Sequence, residues 1–274
     1  MVQSAAVLAG GIQSHVQRLV TDAGESIILK QHAHAPADWY SLEAEGLRLL
    51  DRPNCPRVPK VLAVGEAFLL LEDVAHRDLQ PAAASNVFWE AFGRSLAHLH
   101  RHTASLHGFD HDNYLGLMPQ HNGQMADGRE FFIERRVLRY LREPLAEQTL
   151  TLEDRRGVER LCERIRRDVP DQPASLCHGD LWTGNMLVGP AGNPAYIDPA
   201  VHYGLAEAEL SLTRQFSGVP DSFYDAYIEV NPLETGWESR LPLYELKEML
   251  GLIAQFGDEH EMVSPLRQLI RRFS

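Results

Sequence analysis

The hydrophobic period of the chain changes near residue 75, and that change limits its architecture more than any other feature. Before it, apolar residues fall in short runs. His15 to Val20 and Ser26 to Lys30 flank the turn sequence Asp22-Ala23-Gly24-Glu25, and Val61 to Val64 and Phe68 to Glu72 flank Gly65-Glu66, which predicts a pair of antiparallel hairpins. Between them, Asp38 to Leu50 has helical spacing with Asp38 placed as N-cap, and the proline-rich stretch Pro53 to Pro59 ends it. Beyond residue 75 helical stripes dominate: Phe88, Phe92, Leu96 and Leu99 form one, and Phe131, Ile133, Val137, Leu138, Leu141 and Leu145 another. Further helices are expected at about 151–168, 220–229, 237–256 and 262–273. Met186 to Gly189 and Ala195 to Ile197, around Pro190-Ala191-Gly192-Asn193-Pro194, predict a hairpin carried on this helical part. The expected fold class is α+β in two lobes. Residues 1–73 form a small antiparallel-sheet lobe with one helix, and 74–274 a larger, mainly helical lobe.

Charge and cysteine usage narrow the partners. With 26 Lys and Arg against 38 Asp and Glu, the net charge of −12 argues against a surface built to gather nucleic-acid phosphates or anionic lipid. Cys55, Cys162 and Cys177 are dispersed and lack metal-ligand spacing, which fits a reducing compartment. No apolar run approaches the roughly 20 residues needed to span a bilayer. The expectation is a cytoplasmic monomer without nucleic-acid or membrane partners.

The chemistry is concentrated in Leu176-Cys177-His178-Gly179-Asp180-Leu181-Trp182-Thr183-Gly184-Asn185, with Asp198 thirteen residues further on in Tyr196-Ile197-Asp198-Pro199. If the hairpin forms, Asn185 enters its first strand and Asp198 leaves its second, so both stand at one end with strands about 5 Å apart. Asp180 lies in the loop that feeds that end. Each residue alone is an ordinary turn residue; together they offer oxygen ligands for Mg²⁺ and a carboxylate to orient a hydroxyl nucleophile, as in phosphoryl transfer. His178 is read as packing and hydrogen-bonding within the loop.

The first quarter tests this independently. Lys30 ends the apolar run Ile27-Ile28-Leu29, and Glu43 lies on the same helix face as Trp39, Leu42, Leu47 and Leu50, while Glu45 points away. A carboxylate on a buried face requires a cation, and Lys30 is the candidate. Gly10 and Gly11, in Leu8 to Ser14, are placed over nucleotide phosphates, and the backbone from Glu72 to Val74 is placed beside adenine. His98, His100, His102, His107 and His111 lack a completing ligand spacing and are read as core or surface histidines.

These residues resemble the fructosamine kinase (ketoamine 3-kinase) family, within the larger aminoglycoside and choline kinase-like group. The resemblance rests on Thr21-Asp22-Ala23-Gly24 leading to Lys30, Glu43 to Leu50, Leu96 to Arg101, Asp112 to Gly116, Pro119-Gln120 with Asn122, His178 to Asn185, and Asp198-Pro199-Ala200 followed by Tyr203-Gly204, Glu207 and Glu209-Leu210. It runs from about residue 8 to the C-terminus. Trp182 separates this family from most other small-molecule kinases. The resemblance implies a two-lobed protein-kinase-like fold that uses ATP and Mg²⁺. It also implies that Lys30 contacts the α/β-phosphates, braced by Glu43, that Asp180 is catalytic, and that Asn185 and Asp198 bind Mg²⁺. The implied acceptor is a ketosamine such as a fructosyl-amine. A kinase of another small amine-bearing acceptor (aminoglycoside, aminoalcohol or sugar) and a non-catalytic pseudokinase remain as alternatives.

Three departures concern the segment before Gly10, which lacks the family's helix, the positions Gln124 and Gly128, which lack its two tryptophans, and the late stretch Glu248 to Gln255, which lacks its His/Asn-rich character. The lost tryptophans predict an altered acceptor preference. Glu207 and Glu209 are expected to add negative charge to the cleft and favour a protonated amine.

Overall fold

The computed structural model describes residues 2–8, 15–74, 84–189, 191–215 and 218–273. The N-terminal part is a five-stranded antiparallel sheet of order β1-β2-β3-β5-β4, formed by β1 (Val2–Val7), β2 (His15–Thr21), β3 (Ser26–Gln31), β4 (Val61–Gly65) and β5 (Phe68–Glu72). One helix, α1 (Trp39–Leu50), packs on it through Trp39, Tyr40, Ala44, Leu47 and Leu50 and leaves Glu45 exposed. Both expected hairpins are present. Strand β1 adds a pairing the sequence reading did not assign, and it occupies the segment before Gly10. Asp38 begins α1 without capping it by its side chain, because its carboxylate instead accepts the Tyr114 hydroxyl at 3.0 Å.

The C-terminal part is larger and mainly helical. It begins with α2 (Asn86–His100), β6 (Thr103–Ala104), β7 (Asn113–Leu115), β8 (Met118–Gln120), α3 (Gly128–Phe132), α4 (Pro144–Thr149) and α5 (Leu152–Asp168). There follow β9 (Ala174–Cys177), β10 (Met186–Val188), β11 (Pro194–Tyr196), β12 (His202–Gly204), α6 (Ala206–Gln215), α7 (Asp221–Val230), α8 (Trp237–Tyr244), α9 (Leu246–Phe256) and α10 (Val263–Phe273). The apolar stripe from Phe131 to Leu145 is not one helix. It passes from α3 through a π-helical turn, Ile133–Leu138, and a 3₁₀ turn, Tyr140–Arg142, before α4 restarts at Pro144. Pro144 cannot donate an amide hydrogen bond and is suited to a helix start. Arg136, fully buried in the π-turn, donates to the His121 carbonyl and Asn122 Oδ1. The expected helix over 237–256 is likewise two, α8 and α9, meeting at Glu245.

The two parts together give a small sheet-and-helix lobe and a larger helical lobe, the architecture of protein-kinase-like enzymes. Short strands set the geometry between them: β9 is the centre of a β12-β9-β6 sheet, and β10-β11 is the expected hairpin, whose tip holds Gly192 at φ +75°. Among the described residues no helix is long and apolar enough to cross a membrane.

Candidate active site

Strand β9 is buried at every residue and delivers the chain into the 178–185 loop. At the first bend Gly179 has φ +89°, and a Cβ there would fall 2.0 Å from the Ala200 carbonyl oxygen. Only glycine fits both conditions. The loop is then held from two sides. Glu209 of α6 accepts from the His178 and Gly179 amides at 3.0 and 2.6 Å, and Lys247 of α9 donates to the Gly179 carbonyl at 2.8 Å. Burial alone would raise the Glu209 pKa, but the His100 Nε2–H bond at 2.9 Å and the Gly179 amide hold it down at about 2. His100 is in turn fixed by the Tyr227 hydroxyl on its Nδ1 at 2.7 Å.

His100, Cys177 and Glu209 bring ligand-type atoms within 4.8 Å of one another, yet His100 and Glu209 already bond each other and the loop, and burial pushes the Cys177 thiol well up. His100 and Glu209 form a brace for the loop, in keeping with the reading of His100 as a core residue. His178 donates from Nε2 to the Ile197 carbonyl at 2.9 Å and accepts the Asp180 amide on Nδ1 at 3.3 Å. Those partners define the neutral tautomer, and burial lowers the ring's pKa. His178 is a latch between loop and hairpin.

The hairpin register pairs Met186 with Tyr196, and the Ile197 amide donates to the Asn185 carbonyl at 3.0 Å, so Asn185 and Asp198 do flank one end. Asn185 Nδ2 donates to the Asp180 carbonyl at 2.8 Å and to Asp180 Oδ2 at 3.0 Å. Burial raises the Asp180 pKa to about 7, with the Glu248 carboxylate adding to the rise and the Lys247 ammonium opposing it. Asp198 sits in the left-handed region at φ +58°, a conformation that Asp tolerates better than most residues. Its Oδ1 accepts Lys30 Nζ at 2.9 Å, and the same ammonium donates to Glu43 Oε1 at 2.6 Å. Burial would deprotonate Lys30; two carboxylates outweigh it and raise the pKa above the ordinary lysine value.

Lys30, Glu43, Asp180, Asn185 and Asp198 all line one cavity of about 410 Å³, together with Val16 of β2 and Trp182. Glu72 and Val74 do not line it. The Glu72 carboxylate pairs with Arg57 at the end of β5, and Val74 is buried. Gly10 and Gly11 lie outside the described residues. Contrary to expectation, Glu207 and Glu209 do not face the cleft, because Glu207 is consumed by Arg240 at 2.9 Å and the Tyr244 hydroxyl at 3.0 Å, and Glu209 by the loop. Gln124 and Gly128 are also outside the cavity: Gln124 bonds Asp110 and Gly128 opens α3 against His107. The wall is set instead by α9, whose contribution the sequence reading noted only as a departure.

The donor set fits a hard cation, since Asp180, Asn185 and Asp198 offer oxygens and, among the described residues, no thiol or imidazole lines the cavity. A buried ammonium beside them and a volume within the usual range for ligand clefts fit a nucleotide.

Comparison with known proteins decides the family: a family model described as fructosamine kinase matches residues 1–273. The chain belongs to the fructosamine kinase family. An Enterococcus faecium protein described as a probable ketoamine kinase is 33% identical over 276 residues, covering 97% of this chain and 94% of its own. A crystal structure from Thermobifida fusca, of a protein assigned as a fructosamine-3-kinase, matches with TM-score 0.86 at 32% identity, over 98% of this chain and 94% of that one. An aminoglycoside phosphotransferase structure matches with TM-score 0.67 at 16% identity, over 100% and 95% of the two chains, and shares the fold.

Proposed function

We propose that this member of the family transfers the γ-phosphoryl group of Mg·ATP to a hydroxyl of a ketosamine, a ketose bearing an amine. The observation that carries the reading is the convergence of Lys30, Glu43, Asp180, Asn185 and Asp198 on one cleft between the lobes. Residues 1–73 serve as the nucleotide-binding lobe, with adenine reaching past the cavity lining to the backbone of Glu72 to Val74. Residues 74–274 form the catalytic and acceptor-binding lobe, and the protein works as a cytoplasmic monomer.

Asp180 accepts the acceptor's hydroxyl proton as that oxygen bonds to the γ-phosphorus and the bond to the bridging oxygen breaks, releasing ADP. Its raised pKa makes it a better base than an exposed aspartate. Lys30 binds α/β-phosphate oxygens, and Glu43 positions it. Asn185 and Asp198 would hold Mg²⁺, which when bound would offset phosphate charge.

The test is ADP release and a phosphorylated product, read by mass spectrometry, from purified protein, Mg·ATP and 1-deoxy-1-(methylamino)fructose. Turnover with aminoglycosides or aminoalcohols and none with ketosamines would reject the acceptor; no turnover with any of them would reject the kinase reading. Two variants probe the nucleotide side. Glu43→Gln is expected to raise the KM for ATP about tenfold, equivalent to about 1.4 kcal/mol, and an unchanged KM would mean that Asp198 alone holds Lys30. Asp198→Ala is expected to raise the Mg²⁺ concentration for half-maximal rate at least about tenfold, the lower bound set by losses of mere outer-shell partners. Unaltered Mg²⁺ dependence would place the metal elsewhere.

A further inference from the structure

The cavity-lining face of α9 carries Glu248, Gly251, Leu252, Gln255 and Phe256, three and four positions apart as one helix face requires. Its first turn meets the loop bearing Asp180. There Lys247 is buried, donates to the Gly179 carbonyl at 2.8 Å and ion-pairs with Glu248 Oε1 at 2.7 Å, which fixes the Glu248 carboxylate beside the loop. Further along, Leu252 and Phe256 supply hydrocarbon, with Leu212 of α6 also lining the cavity.

Among the described residues four carboxylates line the cavity. Glu43 and Asp198 share Lys30, which leaves Asp180 and Glu248, with Lys247 paired to Glu248. An ammonium placed between the reacting hydroxyl and α9 would meet Glu248, and whatever the nitrogen carries would continue over the apolar part of the face.

Resting on the ketosamine-kinase reading, we propose that Glu248 is a specificity-determining residue that pairs with the acceptor's protonated amine, and that the face from Gly251 to Phe256 receives an uncharged alkyl or aralkyl substituent on that nitrogen. A carboxylate on the same substituent would lose its hydration against Leu252 and Phe256 and lie near Glu248, so amino-acid-derived ketosamines are selected against.

The experiment compares four acceptors sharing the fructose unit: the N-benzyl, N-methyl and N-carboxymethyl derivatives of 1-amino-1-deoxyfructose, and 1-O-benzylfructose, in which oxygen replaces the amine. Each is measured for kcat/KM and, independently of turnover, for Kd by calorimetry, with the wild type, Glu248→Gln and Leu252→Ser. The wild type is expected to favour N-benzyl over O-benzyl at least about tenfold, as for a partly buried charge pair, and to favour N-benzyl over N-carboxymethyl. Glu248→Gln is expected to collapse the amine-to-ether ratio, and Leu252→Ser to lower the benzyl-to-methyl ratio while keeping the amine-to-ether ratio. An amine-to-ether ratio that survives Glu248→Gln, equal use of the N-carboxymethyl compound, or failure of the wild type to bind N-benzyl would each overturn the proposal. Binding without turnover would reject the kinase chemistry and leave the Kd ratios to decide the role of Glu248.

Discussion

Asp180→Asn will lower kcat by roughly 10²-fold or more, the scale of a positioned general base, and will leave ATP affinity within a few-fold of wild type. Asparagine keeps the shape of the side chain and an oxygen able to accept the Asn185 amide, now at 3.0 Å from Oδ2. What it removes is the capacity to take a proton from the acceptor. The substitution should also leave thermal stability unchanged or slightly raised, because it replaces a carboxylate that burial and Glu248 already disfavour as an anion. That combination of lost turnover, retained nucleotide binding and undiminished Tm separates a reacting group from a structural one. Steady-state kinetics, calorimetry with ATP and a melting curve read all three. Turnover within a few-fold of wild type would assign the proton transfer to another residue.

The other large effect lies away from the reacting atoms. Glu209→Ala strands the His178 and Gly179 amides and His100 Nε2 inside the protein, and breaking such a buried charged network costs about 3–5 kcal/mol. For a chain of this size the Tm should fall by about 10 °C. The loop that carries Asp180 loses its brace as well, so kcat should fall. The acid side of the stability profile gives an independent reading. Folding holds the Glu209 pKa at about 2 against an ordinary value of 4.5, so between those values the unfolded chain binds more protons than the folded one. The contribution, about 3 kcal/mol by linkage, is complete above pH 4.5 and is lost as pH falls toward 2. The Tm gap between wild type and variant should therefore narrow below pH 4.5, and a gap independent of pH would mean that Glu209 acts through packing alone.

The Lys30–Glu43 pair was legible in the sequence for a local reason: a carboxylate in the middle of a helix's apolar face demands a cation, and one stood at the end of the neighbouring strand. The shared end of Asn185 and Asp198 was legible because a hairpin's register follows from its turn. Glu209 was misplaced into the cleft, since nothing in periodicity relates α6 to a loop about 30 residues earlier; only the tertiary fold aims its oxygens at two backbone amides. The second partner of Lys30 was hidden for the same reason, at a separation of 168 residues. Strands β9 and β12, of four and three residues, are too short to declare a period. The spacing of Glu248, Gly251, Leu252 and Gln255 was in plain view, but which face of a helix meets a cleft is fixed by what packs behind it.

Gly179 and Gly192 share a left-handed backbone, and descent with modification should treat them differently. At Gly192 an added Cβ meets nothing within 4 Å, so Asn or Asp can replace it at little cost and lineages can drift there. At Gly179 the Ala200 carbonyl stands 2.0 Å from the same atom, and no side chain can enter while the loop keeps its path. The fold, not the chemistry, forbids change at that position. A descendant that abandoned phosphoryl transfer could lose Asp180 freely and would still carry Gly179, so a genome search for decayed copies should find the glycine outliving the aspartate beside it.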